Sequence, residues 1–385
     1  RLFGSGLVVA QVAISLALLS VAQLYMSHLR QLRGASLGFE RDGVLLMSVN
    51  TSRAQTRQQL AALYRQLVPR LRAIPGVRAV ATSGTTPLAL GAASRFLRAE
   101  GYDEPVANRS RVALNWASPD YFATYGTPVL AGRDFRDTDG DQPRRVIVNQ
   151  ALARQYFAGR DPVGRRIWLE NERDPYEVVG VVGDAKYSDI HVAARMIAYV
   201  FAPMSRGTTT VSLRTAVPPT AIAAAARRVV EEALGAGSAL QVTTLAEQVD
   251  ASIIPERLMA TLSGFFGGVG ALLAAIGLYG LLAYTVTRRT KEIGIRVALG
   301  AARGEVIRMV LASAGWLVLG GLAFGAPVGF WGRRLAASLL ENLPSGGILP
   351  IGLAAAIMLA VALIAAYVPA RRATRIEPLI ALRSE

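Results

Sequence analysis

The chain has 385 residues, a formal net charge of +15, no cysteine and a hydrophobic fraction of 52%. Without cysteine there can be neither disulfides nor thiolate metal sites, and so much apolar content argues against a chain that is soluble throughout. The charge does not mark a nucleic-acid surface: residues 30–257 carry 29 basic and 22 acidic residues spread along the segment, and the remaining excess sits beside apolar runs.

Four blocks are free of Asp, Glu, Lys and Arg: Leu7 to Met26, Leu262 to Val286, Met309 to Phe330 and Ile348 to Val368. A hydrocarbon core of roughly 30 Å needs about 20 residues at ~1.5 Å of rise, so each block predicts a spanning helix. The first, within residues 1–29, is long for a signal-peptide core and is followed by no small-residue cleavage site, so it reads as a retained helix. Arg1 is not a methionine and abuts the apolar run, so the native N-terminus is expected to lie upstream.

Residues 30–257 alternate β-rich runs with amphipathic stretches, predicting an α+β domain of one or two lobes. Strands are expected at Val44 to Val49, Val77 to Thr82, Arg111 to Asn115, Arg145 to Val148, Arg166 to Leu169, Tyr176 to Val182, Ile197 to Phe201 and Thr209 to Leu213. Helices fit Ala54 to Ile74, with Leu60, Leu63, Tyr64, Leu67 and Leu71 on one stripe, and Gln150 to Phe157, Pro219 to Leu234 and Leu245 to Ile254. Residues 258–385 hold spanning helices at about 262–286, 309–331 and 348–368, with a short helix at about 290–300. The predicted class is therefore an α-helical membrane protein with four transmembrane helices and an α+β extracytoplasmic domain inserted between helices 1 and 2.

Loop charge orients the chain. Arg288, Arg289, Lys291, Arg296, Arg303 and Arg308 follow the second span and Arg371, Arg372, Arg375 and Arg383 follow the fourth, against only Arg333 and Arg334 between the third and fourth. By the positive-inside rule the two rich segments are cytoplasmic, which places both termini inside and residues 30–257 outside.

No G-x-x-x-x-G-K-[ST] occurs, so phosphates are not cradled in the P-loop manner, and no G-x-S-x-G elbow is present. Asp137-Thr-Asp139-Gly-Asp141 lacks the glycine and glutamate positions of a calcium loop and reads as a solvated turn; His28 and His191 stand alone in packing or surface roles. No catalytic, cofactor or metal site is therefore assigned. The spans carry no ionisable group, whereas ion-coupled transporters place one at membrane depth, so any energy for work across the membrane is expected from a partner. Gly264-x-x-x-Gly268 and Gly321-x-x-x-Gly325-x-x-x-Gly329 mark close helix packing, within one bundle or between subunits. Between the second and third spans, Thr290 to Gly300 can form a short helix with Glu292 and Arg296 four apart and Ile293, Val297 and Leu299 apolar. An interfacial turn and a docking helix both fit it.

Arg289-Thr-Lys-Glu-Ile-Gly-Ile-Arg-Val-Ala-Leu-Gly-Ala301 and Tyr367-Val-Pro-Ala-Arg-Arg-Ala-Thr-Arg-Ile-Glu-Pro-Leu-Ile-Ala-Leu382 resemble segments of the MacB/FtsX-like ATP-binding-cassette (ABC) permeases. Tyr121 to Gly126, Leu130 to Phe135, Val146 to Ala153 and Val178 to Asp184 are similar to the periplasmic core domain of that family. The resemblance implies a bacterial inner-membrane permease that binds a separate cytoplasmic ABC ATPase, works as a dimer with a second copy or as one half of a duplicated eight-helix chain, and can engage a periplasmic adaptor. It assigns the ATPase-coupling role to Glu292, Ile293, Gly294, Ile295, Arg296, Ala298, Leu299 and Gly300. The function it implies is mechanotransmission: ATP hydrolysis in the partner drives efflux or extraction of a substrate on the outer side. The alternative is a transducer that regulates an outer cell-wall hydrolase or passes on a peptide signal.

Overall fold

The computed structural model describes residues 2–34, 36–52, 56–89, 93–102, 110–140, 144–187, 190, 194–204, 208–289, 295, 303–339 and 349–373. The chain divides into two compact units. One takes in the N-terminal helix and everything from Ile254 onwards, and the other is Ala35–Ile253.

The first unit begins with α1 (Leu2–Gly34). The second unit then runs β1 (Val44–Asn50), α2 (Arg57–Arg72), β2 (Val77–Ser83), β3 (Ala93–Arg95), β4 (Leu97–Ala99), β5 (Val112–Ala117), α3 (Tyr121–Tyr125), β6 (Val129–Gly132), a 3-10 turn (Asp137–Gly140), β7 (Arg144–Asn149) and α4 (Gln150–Phe157). It continues with β8 (Arg166–Leu169), β9 (Tyr176–Val182), β10 (Ile197–Phe201), β11 (Thr208–Thr215), α5 (Pro219–Leu234), β12 (Ala239–Thr244) and α6 (Leu245–Ser252). The first unit resumes with α7 (Ile254–Arg288), α8 (Arg303–Leu339) and α9 (Leu349–Ala373). α1, α7, α8 and α9 contain stretches long and apolar enough to cross a membrane, at Gly4–Gln31, Ile254–Arg288, Gly304–Gly332 and Ile351–Arg372.

The strands of the Ala35–Ile253 unit form one mixed sheet in the order β12-β1-β11-β2-β5-β10-β7-β9-β8-β4, with β3 added to β5 and β6 to β9. β5–β10 and β7–β9 are parallel, the other pairs antiparallel. The sheet is continuous at its middle through a single residue pair, Ser83 with Ala117. On one side of that pair β12, β1, β11 and β2 carry α2 and α5, and their shared core holds Leu45, Met47, Leu67, Leu71, Leu213, Ala226 and Val230. On the other side the strands carry α4 over Val112, Val146, Leu152, Phe157, Ile167 and Val178. The domain therefore has two lobes, each with its own core.

Local sequence explains the elements. α2 starts at a capping box: Gln59 N–H donates to Thr56 Oγ1 at 3.2 Å, and Thr56 N–H donates to Gln59 Oε1 at 3.0 Å. Its stripe of Leu60, Tyr64, Leu67 and Leu71 is buried, each full burial stabilising the lobe by roughly 1.5–3 kcal/mol. The helix is shorter than the predicted Ala54 to Ile74, and Ala54 lies outside the described residues. α6 repeats the capping box with Thr244 and Glu247. The short elements β3, β4 and α3 have too few residues to show a period, and β6 is exposed along its whole length, so none of the four was expected. β12 escaped for a different reason: it is an edge strand whose Leu240 faces outward.

Candidate functional site

Within the first unit α1 is the central helix, packed against α7, α8 and α9. It runs antiparallel to α7: a Cβ added to Gly277 would lie 2.9 Å from Gln11 Oε1, one on Gly270 2.6 Å from Ser15 Oγ, and one on Gly267 2.9 Å from Leu19 Cδ2. It runs parallel to α8, where a Cβ on Gly321 would lie 2.4 Å from Val12 Cγ1, on Gly325 2.8 Å from Ala13 Cα, and on Gly329 2.9 Å from Ser20 Oγ. Dispersion between closely approached backbones holds such helices together where the surroundings are as apolar as the side chains. Among the described residues the predicted pair Gly264 and Gly268 has no atom within 4 Å of an added Cβ. Gly267 and Gly270 take the contact on α7 instead, because each residue step turns a helix by about 100°. Phe265, Leu272, Ile276, Trp316, Phe324 and Ile364 are exposed on the outside of the bundle, where hydrocarbon would meet them.

The basic ends of the helices gather at one end of the bundle. Leu282, Val286 and Arg289 of α7 and its extension border the same small cavity as Met309, Val310 and Ser313 of α8, and Arg372 of α9 donates from Nη1 to Tyr279 Oη at 3.1 Å. Arg288, Arg289, Arg303, Arg308, Arg371 and Arg372 belong to this end, whereas Arg333 and Arg334 lie near the opposite terminus of α8. Of the predicted coupling residues Ile295 is helical and half exposed; Glu292, Ile293, Gly294, Arg296, Ala298, Leu299 and Gly300 lie outside the described residues.

In the outer domain the motif segments converge on backbone and polar contacts. Gly132 has φ +70, and a Cβ there would sit 2.2 Å from Val179 O, while one on Gly180 would meet Arg133 O at 2.3 Å. Only paired glycines allow β6 and β9 to approach this closely. Asp139 is buried and takes two hydrogen bonds from Arg133, at 2.7 and 2.8 Å, and a third from Arg136 N–H at 2.8 Å. Burial, the largest single influence, raises its pKa, but the hydrogen bonds from Arg133 and Arg136 N–H and the charges of Arg133 and Arg145 together outweigh it and hold the carboxylate below its usual range. The turn expected to be solvated is so at Asp137 and not at Asp139, because the chain folds back so that Arg133, just after β6, grips the Asp139 carboxylate; Asp141 lies outside the described residues. His28 is packed within α1's unit, and His191 lies outside the described residues.

The two lobes leave a cleft of ≈ 1240 Å³. Leu60, Ala61, Tyr64 and Arg65 of α2 form one wall, the Asp137–Gly140 turn with β7 and the end of β10 the other, and Trp116 of β5 lies in it, 37% exposed. Burial pushes the Tyr64 phenol up to about 12, opposed by a hydrogen bond with Ser118. A second hollow of ≈ 680 Å³ shares Tyr64, Arg65 and Asp137 with it. Sequence reading missed this cleft. The exposed Trp116 among buried neighbours on one strand is the signal, and it is visible only once the register is known. Among the described residues no group of three or more His, Cys, Asp or Glu could hold a metal ion.

A bundle of four apolar helices with one large domain inserted between the first two defines an integral, multi-pass membrane protein. Residues 5–231 match the MacB-like periplasmic core domain and residues 264–378 the FtsX-like permease C-terminal. The chain belongs to the ABC transporter permease family built from these two parts. It is 26% identical over 325 residues to an uncharacterized ABC transporter permease, YknZ of Bacillus subtilis, covering 82% of this chain and 77% of that one. It is 29% identical over 307 residues to the macrolide export ATP-binding/permease protein MacB of Azoarcus, covering 76% of this chain and 45% of that one. It is 30% identical over 277 residues to the pyoverdine export ATP-binding/permease protein PvdT of Pseudomonas savastanoi, covering 68% and 41%. The chain thus spans less than half the length of these last two relatives. The crystal structure of the periplasmic region of MacB from Actinobacillus actinomycetemcomitans aligns with 58% of this chain and 97% of that one, at 16% identity and a TM-score of 0.38.

Proposed function

We propose that this chain is the permease of a mechanotransmission complex in the bacterial inner membrane, coupling ATP hydrolysis by a cytoplasmic ABC ATPase to export or extraction of a substrate on the outer side. The observation that carries the reading is the gathering of basic helix ends at one end of the bundle, with Ile295 between α7 and α8 in the chain and the outer domain inserted in the chain after α1. Positive charge marks the cytoplasmic end, so both termini and the coupling segment Glu292 to Gly300 lie on the ATPase side. α1, gripped by glycines on two sides, continues in sequence into the outer domain, and a shift of α1 against those smooth faces is the element that carries motion outward. Export is supported by the macrolide and pyoverdine export relatives, and the partner ATPase by the absence of a P-loop in these 385 residues. The working unit is a dimer of permeases or two fused halves, since four helices are few to enclose a path.

The test is to purify the protein from its own membranes, identify bound partners by mass spectrometry and assay ATPase activity in the eluate. Ile293→Asp with Leu299→Asp should release the ATPase and abolish its stimulation while leaving the protein folded. Wild-type ATPase binding by a folded double variant would overturn the coupling assignment.

A further inference from the structure

The inter-lobe cleft is roomy enough to take a drug-sized molecule. At ≈ 1240 Å³ it exceeds the roughly 300–1,000 Å³ typical of sites that enclose drug-sized molecules. Its aromatic residues come from both lobes: Tyr64 from α2 on one side, Phe201 from β10 on the other, and Trp116 between them. Trp116 departs from its strand, where Val112 to Asn115 and Ala117 are buried, and it stands beside the one residue pair that joins the two halves of the sheet. Phe201 is held in place by an edge-on contact with Phe135, ring centres 5.6 Å apart, and by Gly140, where a Cβ would come within 3.2 Å of the ring.

Most of the charged groups around these rings are neutralised by one another. Arg144 lies on the Tyr176 ring, its carbon 5.5 Å from the centroid, and Nη1 bonds Glu172 at 2.5 Å; Arg145 pairs with Glu177, and the buried Asp139 with Arg133. Arg65, Asp137 and Arg173 stand outside these pairs, and the cleft lining as a whole balances four basic groups (Arg65, Arg144, Arg145, Arg173) against four acidic ones (Asp137, Asp139, Glu172, Asp174). An anion or a cation entering would gain little here, because basic and acidic groups of the lining balance, while a planar ring would gain dispersion and quadrupole contacts with Trp116, Tyr64 and Phe201.

We infer that the cleft between α2 and the β7–β10 edge binds a neutral, ring-bearing amphipathic molecule, stacking its ring on Trp116 and turning its polar end to the Arg144–Glu172–Tyr176 rim. Such a ligand touches both lobes and holds them at one separation about the Ser83–Ala117 junction. This binding belongs to the outer domain and goes beyond the coupling reading: it needs neither the ATPase nor transport.

The experiment uses the full chain in lipid nanodiscs with benzophenone as a neutral, two-ring photoreactive probe, adducts being mapped by peptide mass spectrometry over a concentration series. Saturable adducts are expected on peptides carrying Tyr64, Trp116 or Met204. Ala61→Arg, which fills the cleft from the α2 wall, and Trp116→Glu should each weaken that labelling by about tenfold, with thermal midpoints close to wild type. Ala61→Arg keeps the test intact if Trp116→Glu does not fold. Adducts confined to α1, α7, α8 and α9, or cleft adducts of equal strength in wild type and Ala61→Arg, would overturn the inference. Loss of cleft binding with a normal ATPase complex, or the reverse, separates this inference from the coupling proposal.

Discussion

Asn149 Nδ2 donates to Asp184 Oδ1 at 2.7 Å, tying the start of α4 to the chain just beyond β9. The rest of the Asn149 amide is used as well: Nδ2 donates to Arg195 O at 2.8 Å, and Oδ1 accepts from Leu152 N–H at 3.2 Å and Ile197 N–H at 2.9 Å. Asn149 is fully buried, and Asn149→Ala takes from the buried Leu152 and Ile197 N–H groups the acceptor they share. We expect a loss of about 2–4 kcal/mol, read as a lower denaturation midpoint of the outer domain. An unchanged midpoint would show that the network contributes nothing net.

Arg133 and Asp139 give a second stability prediction. The Asp139 side chain is 5% exposed and that of Arg133 31%, so Arg133→Met strands a buried carboxylate and should cost about 3–5 kcal/mol. The exposed pair of Arg41 with Asp250, at 41% and 60%, serves as control, and Arg41→Met should change stability by less than about 1 kcal/mol. Equal effects of the two variants in urea unfolding would contradict the difference in burial.

Asp134 predicts a pH dependence of opposite sign to that of most carboxylates. Burial, with Asp120 nearby, pushes its pKa from 3.8 to about 6, against the hydrogen bond from Phe135 N–H. The folded state therefore binds this proton more tightly than the unfolded chain. The contribution is fully present below 3.8 and is lost as pH rises through about 6, amounting to on the order of 2 kcal/mol. Asp134→Asn should remove this slope and stabilise the protein at neutral pH, as comparison of thermal midpoints between about pH 4 and about pH 7.5 will reveal. Parallel wild-type and variant curves would argue against it.

The two glycine stripes predict different responses in the membrane. At Gly325 an added Cβ meets the Ala13 backbone, 2.8 Å from Cα and 2.9 Å from the carbonyl oxygen, and backbone cannot swing aside. Gly325→Ala should lower stability in detergent by about 1–3 kcal/mol, and Gly325→Leu by more. Gly268→Ala meets no atom of the described residues and should be neutral or gain up to about 1 kcal/mol from helix propensity. A Gly268→Ala variant that loses oligomer mass while keeping its fold would locate a subunit contact there.

The membrane helices were legible in the sequence because about 20 consecutive uncharged residues have one solution in hydrocarbon, where every backbone group must bond within its own helix. The inserted domain, most of its longer strands and the buried stripe of α2 were legible for the same kind of reason: a period of 2 or 3.6 is a local property. Which glycines touch α1 was not legible, since Gly264, Gly267, Gly268 and Gly270 are equivalent until a neighbour fixes the rotation of α7. Nor was the burial of Asp139, which depends on Arg133 reaching across a turn. The cleft around Trp116 lay furthest out of reach, because its walls come from residues about 50 to 140 positions apart in the chain. Sequence alone determined what crosses the membrane and what is inserted between the spans, through the cost of exposing polar backbone to hydrocarbon. Only the tertiary structure decided which helix faces meet and how two lobes enclose a cavity, because register and rotation are settled by long-range packing.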